Sequence, residues 1–245
     1  MRLDQYLATS TGLSRKDAKR AIGTGRVGVN GEPCKQAKQQ VSPADDVRLN
    51  GEQVSLPGEH YLMMHKPAGI ISATTDSAQP TALDLLPAAL AARVHIAGRL
   101  DKDTTGLLLL TSDGQWSHRI TSPRHQCPKT YRVTLAESLT DTARAQLEQG
   151  VLLKGENSPT QPAQVAVISD DQIDLTIHEG RYHQVKRMLA AVGNRVVALH
   201  RHRIGPLVLD DALQPGDFRE LTEKEVRAMS ESGHGQAGKP FQNTL

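Results

Sequence analysis

A chain of 245 residues with 29 Lys/Arg against 27 Asp/Glu has room for one large domain, or a large and a small one, each with a core. No apolar stretch approaches the roughly 20 residues that cross a bilayer, and the N-terminal "MRLDQYLATS" lacks the apolar segment of a secretory signal. Cys34 and Cys127 fit neither a disulfide framework nor a zinc site. The expectation is a cytoplasmic protein with reduced thiols, no bound metal and no membrane partner. The charge is uneven: residues 1–50 hold nine Lys/Arg against five Asp/Glu, and the rest 20 against 22. A small basic module on a near-neutral body suits docking on nucleic acid, although a solvated charged face has the same composition.

In chain order, Leu3, Tyr6 and Leu7 fall at helical spacing, with Gly12 as the stop. In "SRKDAKRAIGTG", Ser14 and Asp17 match a capping box, Ala18, Ala21 and Ile22 form an apolar stripe, and Gly23 ends it. Arg15 and Lys19, and Lys16 and Arg20, are spaced i,i+4, which places four cations on one side of that helix. "RVGVNGEPC" and "DVRLNGEQV" each carry an Asn-Gly hairpin signal. The first module is taken as residues 1–56, with 57–60 as a linker in "SLPGEH".

The body, residues 61–229, opens with "YLMMHKPAGIIS", a strand broken at Lys66-Pro67. "GRLDKDTTGLLLLT" follows, with a charged turn running into four leucines. "SDGQWSHRITSP" reads as a short helix, and "KTYRVTL", "QVAVIS" and "IDLTI" as strands. "RYHQVKRMLAAVG" is a helix with Val185, Met188, Leu189 and Val192 on one stripe, and "RVVALHRHRIGPLVL" returns to strand. Thr222 and Glu225 mark a last short helix; residues 230–245 have the composition of a disordered tail. Strands outnumber helices and do not alternate strictly with them, so the fold class is α+β with a mostly antiparallel mixed sheet.

The residues of the charged turn admit several duties. Asp101, Asp103 and Gly106 match the first, third and sixth positions of a calcium loop, but Ser112 stands where its bidentate Glu belongs. Either aspartate can simply cap a turn. Tyr131, in an alternating strand, can be ordinary core. Arg181–Arg203 holds six Lys/Arg, three histidines and no acid, a pattern that favours contact with an RNA backbone over a metal site. His65, His118 and His125 have no evident catalytic partner and read as surface or packing residues.

The first module resembles the S4 RNA-binding domain over nearly its full length. That resemblance implies two short helices with a small sheet, gripping folded RNA through Arg15, Lys16, Lys19, Arg20 and Arg26. "HKPAGIIS", "AGRLDKDTTGLLLLTSDG", "KTYRVTL" and "EGRYHQVKRMLAAVGN" occur in the order found in pseudouridine synthases, and most resemble the S4-bearing branch that modifies small-subunit rRNA. The implied larger domain is the synthase domain, and the implied nucleophile is Asp101, with Asp103 structural. Arg99 would help displace the base or hold the RNA, Tyr131 would stack on the uracil, Ile177 would pack under it, and Lys186 would pair with Asp101.

Turning a uridine into its C-glycoside isomer oxidises nothing and carries no group, so no cofactor is expected. An acid beside basic residues at the edge of a leucine core stays ionised where water is excluded, because burial raises its pKa and a neighbouring cation lowers it. The implied partner is 16S rRNA or a small-subunit assembly intermediate, at uridine 516, with the enzyme acting as a monomer. A large-subunit rRNA target, a non-catalytic S4-domain assembly factor and an Asp-dependent nucleoside hydrolase are the competing readings.

Overall fold

The computed structural model describes residues 1–42, 44–55 and 58–232. Pro57 of the expected linker and residues 233–245 of the expected tail lie outside the described residues. The chain divides into two compact units, Met1–Glu59 and His60–Leu245.

In the first unit, α1 (Leu3–Thr11) stops at Gly12, whose φ of 74° is left-handed. α2 (Arg15–Gly23) starts where the Ser14 side chain accepts the Asp17 amide. Four short strands follow, β1 (Val27–Val29), β2 (Glu32–Pro33), β3 (Val47–Leu49) and β4 (Glu52–Gln53), in the antiparallel order β2-β1-β3-β4. Both hairpins turn on Asn-Gly pairs with positive φ at each residue, Asn30-Gly31 and Asn50-Gly51, which matches the twist of the flanking strands. Leu3, Tyr6, Leu7, Ala18, Ala21, Ile22 and Val47 close a single small core.

An acid in α1 that the sequence pattern does not single out organises the cations around it. Asp4 is fully buried, hydrogen-bonded by Arg2 and Arg15, with the Lys19 ammonium 3.9 Å away. Burial pushes its carboxyl up, but the Arg2 and Arg15 hydrogen bonds more than offset this and hold it below the usual range. The cations of α2 therefore split. Arg15 and Lys19 turn toward Asp4, Arg20 pairs with Asp17 at 2.8 Å, and Lys16 is exposed.

The second unit is built on β5 (Tyr61–Lys66), α3 (Ala88–Ala91), β6 (His95–Ala97), β7 (Thr105–Thr111), α4 (Gly114–Thr121) and β8 (Lys129–Leu135). α5 (Asp141–Gln149), β9 (Gln164–Val167), β10 (Gln172–Ile177), α6 (Gln184–Ala191), β11 (Val196–Ile204), β12 (Leu207–Val208), β13 (Phe218–Glu220) and α7 (Glu223–Glu231) complete it. Among the described residues these strands make one sheet in the order β13-β5-β7-β11-β8-β10-β9, with β6 on β7 and β12 on β11. The pairings are antiparallel except β7 with β11.

The leucine run follows from this placement. β7 is central and covered on both faces, so successive leucines alternate between two cores. Leu108 and Leu110 enter the core under α6, with Val185, Met188, Tyr131 and Ile177. Leu107 and Leu109 enter the opposite core, with Trp116 and Ile120 of α4 and Met229 of α7. The capping box at Thr222 and Glu225 starts α7, which runs to Glu231. Ser230 and Glu231 are therefore helical rather than the start of a tail, because Met229 is a core residue and holds the last turn down. No helix among the described residues is long and apolar enough to cross a membrane.

Candidate active site

The turn between β6 and β7 carries Gly98 through Thr104, and two buried cations fix its backbone. Arg201, 1% exposed, donates from Nε to the Leu107 carbonyl at 2.9 Å, from Nη2 to Gly98 at 3.0 Å and from Nη1 to Arg99 at 3.3 Å. Lys66, fully buried at the end of β5, donates to the carbonyls of Pro67 and Thr104 at 2.9 Å each and of Lys102 at 3.4 Å. Burial lowers the Lys66 pKa to about 8, against the opposing pull of Asp103 and Asp101. The segment after β5 adds neutral bonds: Ser72 Oγ both accepts the Leu100 amide and donates to its carbonyl, and the Gly69 amide donates to Lys102. The "HKPAGIIS" motif is thus the cradle of the "GRLD" turn.

With its backbone held, the turn sets Asp101 against the start of α6. Lys186 Nζ lies 3.3 Å from Asp101 Oδ2 and 2.6 Å from Asp103 Oδ1, and His183 Nε2 lies 3.5 Å from Asp101 Oδ1. Burial pulls the Lys186 ammonium down, but the Asp103 hydrogen bond and the two carboxylate charges hold it above its usual pKa. The Lys186 hydrogen bond in turn keeps Asp103 below the usual range. α6 reaches this position because Val185, Met188 and Leu189 bury in the core while Lys186 lies on the adjacent side. Its first turn is pinned by Glu156, which pairs with Arg181 and Arg187; Arg181 also pairs with Glu179 at 3.0 Å.

Tyr131 lies on β8, opposite Leu175 and Arg201, with its ring in the α6 core and its hydroxyl 3.4 Å from Arg201 Nη1. Ile177, two residues beyond Leu175 on β10, shares that face and that core. Arg99 is exposed, and its carbonyl, not its side chain, makes the bond to Arg201. Asp101, Tyr131, Ile177 and Lys186 thus belong to the turn, strands and helix that surround one apolar core. The five S4 residues belong to the other unit.

Within the basic segment Arg181–Arg203, several charged side chains have partners in the protein, while Arg195 is exposed. Arg181 and Arg187 are consumed by Glu156, Arg201 is interior, His200 shares a hydrogen bond with Thr105 at 2.9 Å, and His202 stands 3.4 Å from Asp174. Sequence counts the charges but does not show partners such as Glu156, Asp174 and the Leu107 carbonyl, which are far away along the chain. Asp103 and Gly106 do not form a helix-flanked calcium loop, since Gly106 is already in β7. Among the described residues no three His, Cys, Asp or Glu side chains cluster to hold a metal.

Residues 60–191 match the RNA pseudouridylate synthase family, and residues 1–47 match the S4 domain. The chain belongs to the RNA pseudouridylate synthase family. It is 48% identical over 229 residues to the ribosomal small subunit pseudouridine synthase A of Vibrio cholerae, covering 94% of this chain and 99% of that protein. To the protein of the same name in Escherichia coli it is 50% identical over 230 residues, covering 94% and 100%. A crystal structure of a pseudouridylate synthase aligns with a TM-score of 0.69 at 46% identity, covering 94% of this chain and 99% of that one. As a pseudouridine synthase the chain is an isomerase. Three polar residues of this synthase are not singled out by its sequence: Lys66, His183 and Arg201. A signal for Arg201 does exist, since an arginine in the middle of a strand of alternating burial is either exposed or satisfied inside.

Proposed function

We propose that this enzyme isomerises one uridine of 16S rRNA, uridine 516, to pseudouridine, with Asp101 as the nucleophile. The observation that carries the reading is the Asp101 carboxylate, held by Lys186 and His183 at the edge of an apolar core that also contains Tyr131 and Ile177. The two relatives named for small-subunit rRNA match along nearly their whole length, which supports the choice of substrate.

The uridine leaves its stack and lies against Tyr131 and Ile177, where an aromatic face and an apolar side chain suit a planar base. The Asp101 carboxylate attacks the sugar at C1′ or the base at C6. The C1′–N1 bond breaks, the base turns over and C5 bonds to C1′. After attack at C1′ the carboxylate is displaced as C5 bonds there, and after attack at C6 it is eliminated from C6 once that bond has formed. The C5 proton is lost and N1 gains one, so atoms and charge balance without a cofactor. Lys186, 3.3 Å from Asp101 Oδ2, orients the carboxylate for attack. Arg99, exposed in the turn, helps displace the base or hold the RNA. In the S4 unit, Arg15, Lys16, Lys19, Arg20 and Arg26 contact folded RNA. The enzyme works as a monomer in the cytoplasm, on rRNA or on an assembly intermediate of the small subunit.

The test uses unmodified 16S and 23S transcripts, incubated with the protein and no cofactor and mapped for pseudouridine by carbodiimide labelling and primer extension. A new stop at position 516 of 16S is expected. A stop only in 23S would move the target, and no stop in either transcript or in a 16S–protein intermediate would remove the catalytic reading.

A further inference from the structure

Among the described residues only one Phe, Trp or Tyr side chain is exposed, and it stands beside the candidate nucleophile. Tyr182 is 76% exposed, the most open of the large exposed apolar side chains. The other aromatic rings are buried or half-buried in the two units. An aromatic ring left in water forgoes the stabilisation that burial gives such rings elsewhere in the chain.

The placement of this ring is specific. Its ring centroid lies 3.8 Å from that of the His183 imidazole, with 19° between the planes, a stacked pair. His183 in turn directs Nε2 at Asp101 Oδ1, 3.5 Å away. The pair is set by a turn in which His183 takes a left-handed φ of 47°, uncommon for a residue with a side chain. The backbone is clamped as well: Arg187 Nη1 donates to the Tyr182 carbonyl at 3.1 Å while also bonding Glu156 and the Lys154 carbonyl. A strained and clamped turn thus holds an open ring one stacking layer beyond the histidine that touches Asp101. The neighbouring cations Arg181 and Arg187 are already paired with Glu156, so the site offers a flat π-face rather than free charge.

We infer that Tyr182 is a stacking platform for a nucleobase of the RNA adjacent to the uridine that reacts at Asp101. The inference rests on the RNA substrate proposed above. The outer face of the ring accepts any base, because stacking on an aromatic side chain uses the π-face and not the hydrogen-bonding edge. Its preset orientation reduces the ordering needed on binding. The platform serves to hold a neighbouring nucleotide while the target is turned out, and so it acts on affinity and positioning rather than on bond-making.

The experiment measures KM and kcat for pseudouridine formation in 16S transcripts, comparing wild type with Tyr182→Ala, Tyr182→Phe and Tyr182→Trp. Tyr182→Ala should raise KM by about 5- to 150-fold, and Phe and Trp should stay within about threefold of wild type. The salt dependence of binding should be the same for wild type and Tyr182→Ala, since the phenol neutralises no phosphate. Single abasic substitutions on either side of the modified uridine then locate the partner base. At one position the affinity loss seen with wild type should vanish with Tyr182→Ala. If wild type is active but Tyr182→Ala matches it, or no abasic position couples to the substitution, the platform is refuted while the proposed activity stands. If wild type modifies neither rRNA, the activity itself fails, and the inference with it.

Discussion

Replacing Lys66 by Met keeps the length and shape of the side chain and removes its charge. In the native protein this ammonium is fully buried, with the carbonyls of Pro67, Lys102 and Thr104 as partners. Its pKa falls from 10.5 to about 8, chiefly through burial, with Asp103 and Asp101 pulling it up and Arg201 pushing it down. That drop corresponds to about 3 kcal/mol of cost for keeping the group charged in the folded state. Below pH 8 the amine is protonated whether folded or not, and the cost is present in full.

Between pH 8 and 10.5 the folded protein has released this proton while the unfolded chain still holds it. Native stability therefore rises with pH through that window, by about 1.4 kcal/mol per pH unit at most. The variant lacks this contribution. The stability of wild type minus that of Lys66→Met should increase by about 3 kcal/mol from pH 7 to pH 10.5, other titrations being common to both proteins. Urea unfolding followed by fluorescence of the single tryptophan, Trp116, reports on the second unit, where that side chain shares a core with Met63 of β5. A difference that stays constant across the window would refute the placement of Lys66 as a buried cation under the Asp101 turn.

Lys186→Gln removes the charged partner of Asp101 and should lower kcat by about 10- to 150-fold, the equivalent of one charged hydrogen bond, with RNA affinity little changed. A fall in affinity with kcat preserved would assign Lys186 to RNA contact instead. Gly106→Ala should destabilise the second unit by about 3 kcal/mol or more, read by the same Trp116 transition. Gly106 has a φ of 107°, and an added Cβ there would collide with the Arg201 carbonyl. Removing residues 1–59 should weaken RNA binding and flatten its dependence on log salt by about 0.7–0.9 for each phosphate no longer neutralised. An unchanged slope would deny the S4 unit its docking role.

Local rules make much of the fold legible in the sequence. The Asn-Gly turns, the Ser14 and Thr222 caps and the alternation in "KTYRVTL" each depend on residues a few positions apart. The α5 helix, Asp141–Gln149, is hard to see because Ala143 and Leu147 are its only buried residues, too sparse a stripe to read. Long-range partners are the other gap. The parallel pairing of β7 with β11 brings Arg201 under the Asp101 turn from 100 residues away in sequence, and no periodicity announces it. The same reason hides Asp4, since nothing in the sequence marks Arg15 and Lys19 as its partners. Asp101, Tyr131, Ile177 and Lys186 are legible through motif resemblance, which carries tertiary information that composition and spacing lack.

The most direct measurement of the proposed chemistry is tritium release from 16S transcripts labelled at C5 of uridine, compared between wild type and Asp101→Asn. The substitution keeps the shape of the side chain and removes the nucleophile. Release should be lost while the dissociation constant for RNA stays within about threefold. Release at an appreciable fraction of the wild-type rate would contradict the assignment, because the C–C bond to C1′ would then form without the carboxylate.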